Sequence, residues 1–266
     1  MIDVMKQQFK EGMVLNDKLN LTREFLQILC LKIMADRKMF EQVAFVGGTS
    51  LRILFDLKRF SEDLDFSVIK KDGYDFAAFN EQLSRDFHLY GLPMETKVNI
   101  ENMVQSSMIK FPGLLKELGL SPLASQKLSI KLEVDSNPPD GGTIAPMALN
   151  KHFLFAVTHY DLSSLFAGKL HACLFRKYTK GRDFYDLLWY LTKKIKPNYR
   201  LLNNAILQTQ GKNLEVDEGK LKDLLLSRFK DVDFALVQKD VEKFLERREE
   251  LELLNREMLE QMVKNF

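Results

Sequence analysis

One stretch, residues 43–68 (VAFVGGTSLRILFDLKRFSEDLDFSV), constrains the fold of this chain more than any other. Ala44, Phe45 and Val46 make a short apolar, β-rich run that stops at Gly47-Gly48, a pair that permits a sharp turn which residues with a Cβ resist. Thr49 and Ser50 follow where an N-cap is expected, and Leu51, Leu54 and Phe55 then recur at helical spacing. The free amides of such a helix face back onto the turn and attract anions. Lys58 and Arg59 lead into Asp63-Leu64-Asp65-Phe66-Ser67-Val68, the alternation of a half-buried strand. Side chains two apart on a strand share a face, so Asp63 and Asp65 point one way while Leu64, Phe66 and Val68 face a core. Neighbouring carboxylates repel unless a cation lies between them. A hard ion such as Mg²⁺ takes carboxylate oxygens and keeps places for water and phosphate. Taken singly, the two acids also read as solvated strand-end residues and the glycines as an ordinary turn.

Gly-Gly-Thr-Ser-Leu at 47–51, a spacer, and Arg-x-Ser-Glu-Asp-x-Asp-Phe at 59–66 together resemble the signature of the DNA-polymerase-β-type nucleotidyltransferase superfamily. More narrowly, they resemble the AbiEii abortive-infection toxin family. The likeness is strong over 43–68, returns at 165–188 and is general elsewhere. It implies an α+β fold: a nucleotidyltransferase core, with a mixed β-sheet and flanking helices, followed by an all-helical C-terminal region. The activity it implies is transfer of a nucleoside monophosphate from a nucleoside triphosphate to an acceptor hydroxyl, with two Mg²⁺ ions. It further implies a toxin of a toxin-antitoxin or phage-defence pair, an RNA acceptor such as a tRNA 3′ end, and a separate antitoxin. A protein or small-molecule hydroxyl as acceptor, or a catalytically inactive nucleotide-binding module, remains the alternative.

In that superfamily a third carboxylate comes from a strand beside the one bearing the paired acids. Residues 127–135 (KLSIKLEVD) alternate strictly, with Leu128, Ile130, Leu132 and Val134 inward and Glu133 and Asp135 sharing the outward face with Lys131 and Ser129. Asp135 lies closer to the Ser136-Asn137-Pro138-Pro139 break, so Glu133 is the choice, with Asp135 the alternative. The expected metal ligands are then Asp63, Asp65 and Glu133. Gly47, Gly48, Thr49 and Ser50 are expected to hold the β and γ phosphates, with Arg59 assisting from the loop.

Residues 162–178 show helical spacing, and Lys169 and Arg176 lie two turns apart on one face. Such cations can stabilise charge on a transferring phosphate or simply coat an exposed helix. Arg182-Asp183-Phe184-Tyr185-Asp186-Leu187 follows the Lys180-Gly181 turn. In the AbiEii-type family a helical Lys, then Arg, then an Arg-Asp-x-Tyr-Asp-Leu run recur downstream of the paired acids. The resemblance therefore gives Lys169 and Asp183 a catalytic role, and Lys169 and Arg176 contact with the nucleotide.

The remaining sequence reads as support, divided into a nucleotidyltransferase domain with a helical lead-in (1–160) and a helical C-terminal domain (161–266). Residues 21–39 read as a core helix with Thr22 as N-cap, and 74–90 as a surface helix. The loop 137–143 (NPPDGGT) reads as a lid or a surface connection. Residues 246–264 read as a charged helix with a narrow apolar stripe. A net charge of +2 argues against a dedicated basic nucleic-acid binder while leaving room for a local basic groove. Cys30 and Cys173 fall in apolar helical surroundings and are expected as reduced thiols. The N-terminus lacks the apolar run of a signal peptide, and no stretch approaches the roughly 18 apolar residues of a membrane span. A cytoplasmic protein without membrane contact is expected.

Overall fold

The computed structural model describes all residues, Met1–Phe266. Two compact units emerge. The first comprises Met1–Phe55, Phe60–Asn137 and Pro146–His159; the second comprises Asp56–Arg59, Pro138–Ala145 and Tyr160–Phe266. The four-residue loop that carries Arg59 thus belongs to the second unit, although the chain on either side of it belongs to the first.

The strands are β1 (Val43–Val46), β2 (Leu64–Val68), β3 (Glu95–Asn99), β4 (Val104–Phe111), β5 (Leu128–Asp135), β6 (Ile144–Asn150) and β7 (Leu154–Tyr160), which lie in the first unit except for Ile144, Ala145 and Tyr160. They form one mixed sheet in the order β3-β4-β5-β2-β1-β7-β6. β2 runs antiparallel to β1 and parallel to β5, and β1 runs parallel to β7. Five helices accompany them: α1 (Ile2–Lys6), α2 (Leu15–Asp36), α3 (Gly47–Phe55), α4 (Phe76–Leu89) and α5 (Leu114–Glu117). The middle of α2 is buried all round, with Phe25, Leu26, Ile28, Leu29, Cys30, Leu31 and Ile33 at 1% exposure or less, as expected of a helix apolar on every side. It shares a core with Phe79, Leu83 and Phe87 of α4, Phe45 and Phe66 of the central strands, and Leu128, Ile130, Leu132 and Val134 of β5. That core takes one face of the central strands. The alternate residues Asp65, Lys131, Glu133 and Asp135, all half-buried, occupy the other. β3 is exposed along its whole length, and its ETKVN sequence carries the charges that blunt an edge strand.

The second unit is helical: α6 (Leu162–Phe175), α7 (Gly181–Thr192), α8 (Tyr199–Gln210), α9 (Glu218–Lys230), α10 (Phe234–Val241) and α11 (Arg256–Lys264). Asp161, Asn198, Asp217, Asp233 and Asn255 each cap the helix that follows by accepting from a first-turn amide. Phe166 of α6 stacks on Tyr190 of α7 at 4.2 Å between centroids. The loop read as a lid or a connection is tied down in this unit. Asn198 donates to the Gly141 carbonyl (2.8 Å) and Asn204 to that of Asp140 (2.7 Å).

Several local expectations are corrected. Thr22 does not cap α2, which begins at Leu15; its hydroxyl donates to the Lys18 carbonyl inside the helix. The surface helix begins at Phe76, capped by Asp75. The charged tail breaks into a 3₁₀ segment, Arg248–Leu253, and α11, because Asn255 starts a new helix. β6 was not anticipated.

Candidate active site

In the first unit, the turn between β1 and α3 determines how close the acids come. Gly47 opens α3 directly, with φ +78°. A Cβ there would lie 2.1 Å from Oδ2 of Asp65 and 2.8 Å from its Cβ and Cγ. Only glycine meets both demands, the left-handed backbone and the carboxylate against its Cα. Because the helix starts at Gly47, Thr49 and Ser50 fall inside its first turn and do not cap it, contrary to the sequence expectation. Both are fully buried. The Ser50 hydroxyl donates to the Gly47 carbonyl (2.8 Å), and that of Thr49 donates to the Asp63 carbonyl. These two hydroxyls brace the turn and fasten the start of the acidic segment to it.

Asp65 lies in β2, and Asp63 stands one residue ahead of that strand. The parallel register sets Asp65 beside Glu133 and Ser67 beside Asp135. Glu133 is therefore the β5 acid that adjoins Asp65. Asp135 lies a pleat further on and accepts from the Asn137 amide (2.9 Å). Burial pushes the Asp135 carboxyl up, against the opposing effect of that amide. Lys131 shares this face: its ammonium lies 2.7 Å from Oε1 of Glu133. The hydrogen bond to Glu133 raises the Lys131 pKa against a smaller desolvation effect, and the charges of Glu133, Asp63 and Asp65 add to the rise. All three carboxylates thus act on one cation.

No three His, Cys, Asp or Glu side chains gather closely enough, as they lie, to enclose a metal ion. The donor set is nevertheless of the right chemistry for a hard ion: Asp65 and Glu133 are register partners on adjacent strands, Asp63 stands two residues before Asp65, and the Lys131 ammonium lies 2.7 Å from Glu133.

In the second unit a buried charge network joins the helices to the Arg59 loop. Arg59, 2% exposed, grips Asp186 of α7 with two hydrogen bonds of 2.6 Å. Lys169 of α6 lies 2.7 Å from both Asp183 and Asp186, and Arg176 lies 2.7 Å from the other oxygen of Asp183. Asp183 and Asp186, three residues apart on α7, face the same way. On Asp183, Lys169 and Arg59 burial disfavours the charge, yet the partners outweigh it. Asp183 is held below the usual carboxylate range by Lys169 and Arg176; Lys169 is pushed up by Asp183 and Asp186, and Arg59 by Asp186. Three cations against two anions leave one positive charge over, and Arg176, at 30% side-chain exposure, is the most open member.

The structure thus groups the expected residues in two sets: Gly47, Thr49, Ser50, Asp63, Asp65 and Glu133 in the first unit; Arg59, Lys169, Arg176 and Asp183 in the second. Gly48 lies in the first turn of α3. Arg59 is fully engaged by Asp186 rather than presented from an open loop. Two members were missed. Asp186 was visible as the i+3 partner of Asp183, and Lys131 as the residue two before Glu133 on the same strand face.

A mixed sheet that sets a carboxylate-bearing strand against a glycine turn and a second acidic strand defines a nucleotidyltransferase. The chain belongs to the AbiEii family: residues 30–265 match the family described as nucleotidyl transferase AbiEii toxin, type IV toxin-antitoxin system. Membership carries with it a nucleoside triphosphate substrate, a divalent metal in general terms and a cognate antitoxin. A crystal structure of a candidate nucleotidyltransferase from H. pylori is 19% identical, covers 92% of this chain and 93% of its own, and superposes with a TM-score of 0.54. The crystal structure of JHP933 from Helicobacter pylori is likewise 19% identical, with 92% and 90% covered and a TM-score of 0.54. At that identity the likeness shows the fold alone. No curated protein matches the chain. No helix is long and apolar enough to cross a membrane.

Proposed function

We propose that this chain is a Mg²⁺-dependent toxin that transfers a nucleoside monophosphate from a nucleoside triphosphate to an RNA hydroxyl, with a tRNA 3′ end as acceptor. The observation that carries this reading is the side-by-side placement of Asp65 and Glu133 against the Gly47 turn. Asp63, Asp65 and Glu133 would hold two Mg²⁺ ions, which supply charge neutralisation at the reacting phosphate and lower the pKa of the attacking hydroxyl. The acceptor oxygen bonds to the α-phosphorus, the bond from that phosphorus to the β-bridging oxygen breaks, and pyrophosphate leaves. The acceptor proton passes to Glu133. The amides of the Gly47-Gly48 turn serve the β and γ phosphates. Lys169 and Arg176, both held by Asp183 within the second unit, are the cations that the family resemblance assigns to the nucleotide.

The RNA acceptor rests on family membership and is tested directly. Purified protein is incubated with Mg²⁺, each labelled triphosphate, and total RNA or protein extract. Label in RNA that disappears with Asp65→Asn supports the reading. Label in protein moves the acceptor to a protein hydroxyl. No label in either, with growth arrest that survives Asp65→Asn, points to a binding module and sinks the proposal.

A further inference from the structure

Beside the acids sits a cation that the reaction above leaves without a role. The β2 and β5 register pairs Leu64 with Leu132 and Asp65 with Glu133. Asp63, one residue ahead of β2, and Lys131 of β5 are the residues that immediately precede that register. Asp65 and Glu133 are thus partners in the register, and Asp63 and Lys131 stand two residues before them along their own segments. Across the other edge of β5, Lys131 is paired with Met108 and Glu133 with Ser106, so β4 offers the ammonium no competing acid there. The side chain of Lys131 is 40% exposed, and its ammonium lies 2.7 Å from Glu133.

The charges of Glu133, Asp63 and Asp65 all act on this one ammonium, which is in direct contact with Glu133. A single ammonium on a flexible stem is a weaker counter-charge than a divalent ion and can swing into solvent. We propose that Lys131 is the resident cation of the site, holding Glu133 and screening Asp63 and Asp65 until a divalent ion displaces it, so that it sets the metal affinity of the nucleotide-free protein. The proposal rests on the metal-dependent reading of the same acids. Its consequence is a protein that stays folded and quiet when metal and nucleotide are scarce. Removing the ammonium strengthens metal binding and weakens the metal-free state, the opposite of what loss of a ligand does.

Mn²⁺ binding to the full chain without nucleotide, followed by the signal of the free ion in electron paramagnetic resonance, reads this without any turnover. Lys131→Met is expected to bind Mn²⁺ about tenfold more tightly, the scale of one nearby unit charge in a partly solvated site. Its Tm in chelator should fall, and its Mn²⁺-induced rise in Tm should exceed that of the wild type. Lys131→Arg, which keeps the charge, should behave as wild type, and Lys131→Gln should repeat the Lys131→Met result if the latter does not fold. Unchanged or weaker Mn²⁺ binding in the neutral variants, with wild-type binding that Asp65→Asn abolishes, overturns this inference and leaves the metal site standing. Absence of Mn²⁺ binding in wild type and neutral variants alike removes both.

Discussion

The guanidinium of Arg59 and the carboxylate of Asp186 meet through two 2.6 Å hydrogen bonds across 127 residues of sequence, at 2% and 0% side-chain exposure. Removing one partner of such a pair leaves an uncompensated buried charge, at a cost of about 3–5 kcal/mol. Arg59→Met and Asp186→Asn are each expected to lower unfolding free energy on that scale in urea titrations. Lys169 also leans on Asp186 but keeps Asp183, so the double variant Arg59→Met/Asp186→Asn should lose less than the sum of the singles, with a coupling of roughly 1–3 kcal/mol. Strict additivity would mean that the pair contributes no interaction of its own.

Gly47→Ala places a methyl where the Asp65 carboxylate lies, at a backbone angle that alanine resists. The strain alone is worth roughly 1–3 kcal/mol, and relief by moving Asp65 pulls that acid away from Glu133. The expected outcome is a lowered Tm together with loss of nucleotide transfer. A variant with wild-type transfer would show that the close approach of Gly47 and Asp65 is dispensable.

The charge network also makes a pH prediction. Asp183 is depressed in the folded protein, so its contribution to stability is complete above the unfolded carboxylate value of about 3.9 and disappears as pH falls through the lower folded value. Lys169 is raised, so its contribution is complete below about 10.4 and is lost only as pH climbs through the higher folded value. The network therefore stabilises the fold fully between those limits. Tm measured from about pH 2 to pH 5 should fall less steeply toward acid in Asp183→Asn than in wild type, from a lower starting value. Parallel curves would remove Asp183 from the acid response.

These relationships differ in how far the sequence reveals them. The strict alternation of 128–135 carries local periodicity and appears in the structure as read, whereas the Gly-Gly pair, read as a turn ahead of the helix, forms the first two residues of α3. The hydroxyls of Thr49 and Ser50 were misread because the helix starts at Gly47, which has a positive φ, ahead of where a capping pattern implies. β6 escaped notice because Pro146 sits within it and a Pro/Gly-rich loop precedes it. The grip of Asp186 on Arg59 has no local signal at all, since it depends on where a distant loop is carried. Lys131 was seen but read as one more charge on an outward strand face, the commonest role of a strand lysine. Its partner is decided by the register of β2 against β5, which no single strand reveals.

That same register separates two acids that look interchangeable in the sequence. Glu133 lies beside Asp65, whereas Asp135 lies beside Ser67 and accepts from the Asn137 amide at the strand end. Glu133→Gln removes a ligand and the proton acceptor at once, so NMP transfer should drop roughly a hundredfold or more, given the several kcal/mol that metal-assisted charge stabilisation supplies. Asp135→Asn keeps an acceptor oxygen for the amide and takes nothing from Asp65, so its rate should stay within about threefold of wild type, under ~1 kcal/mol of barrier. Single-turnover transfer at saturating Mg²⁺ compares the two. A collapse in Asp135→Asn with Glu133→Gln unaffected would move the third carboxylate one pleat along β5 and with it the centre of the site.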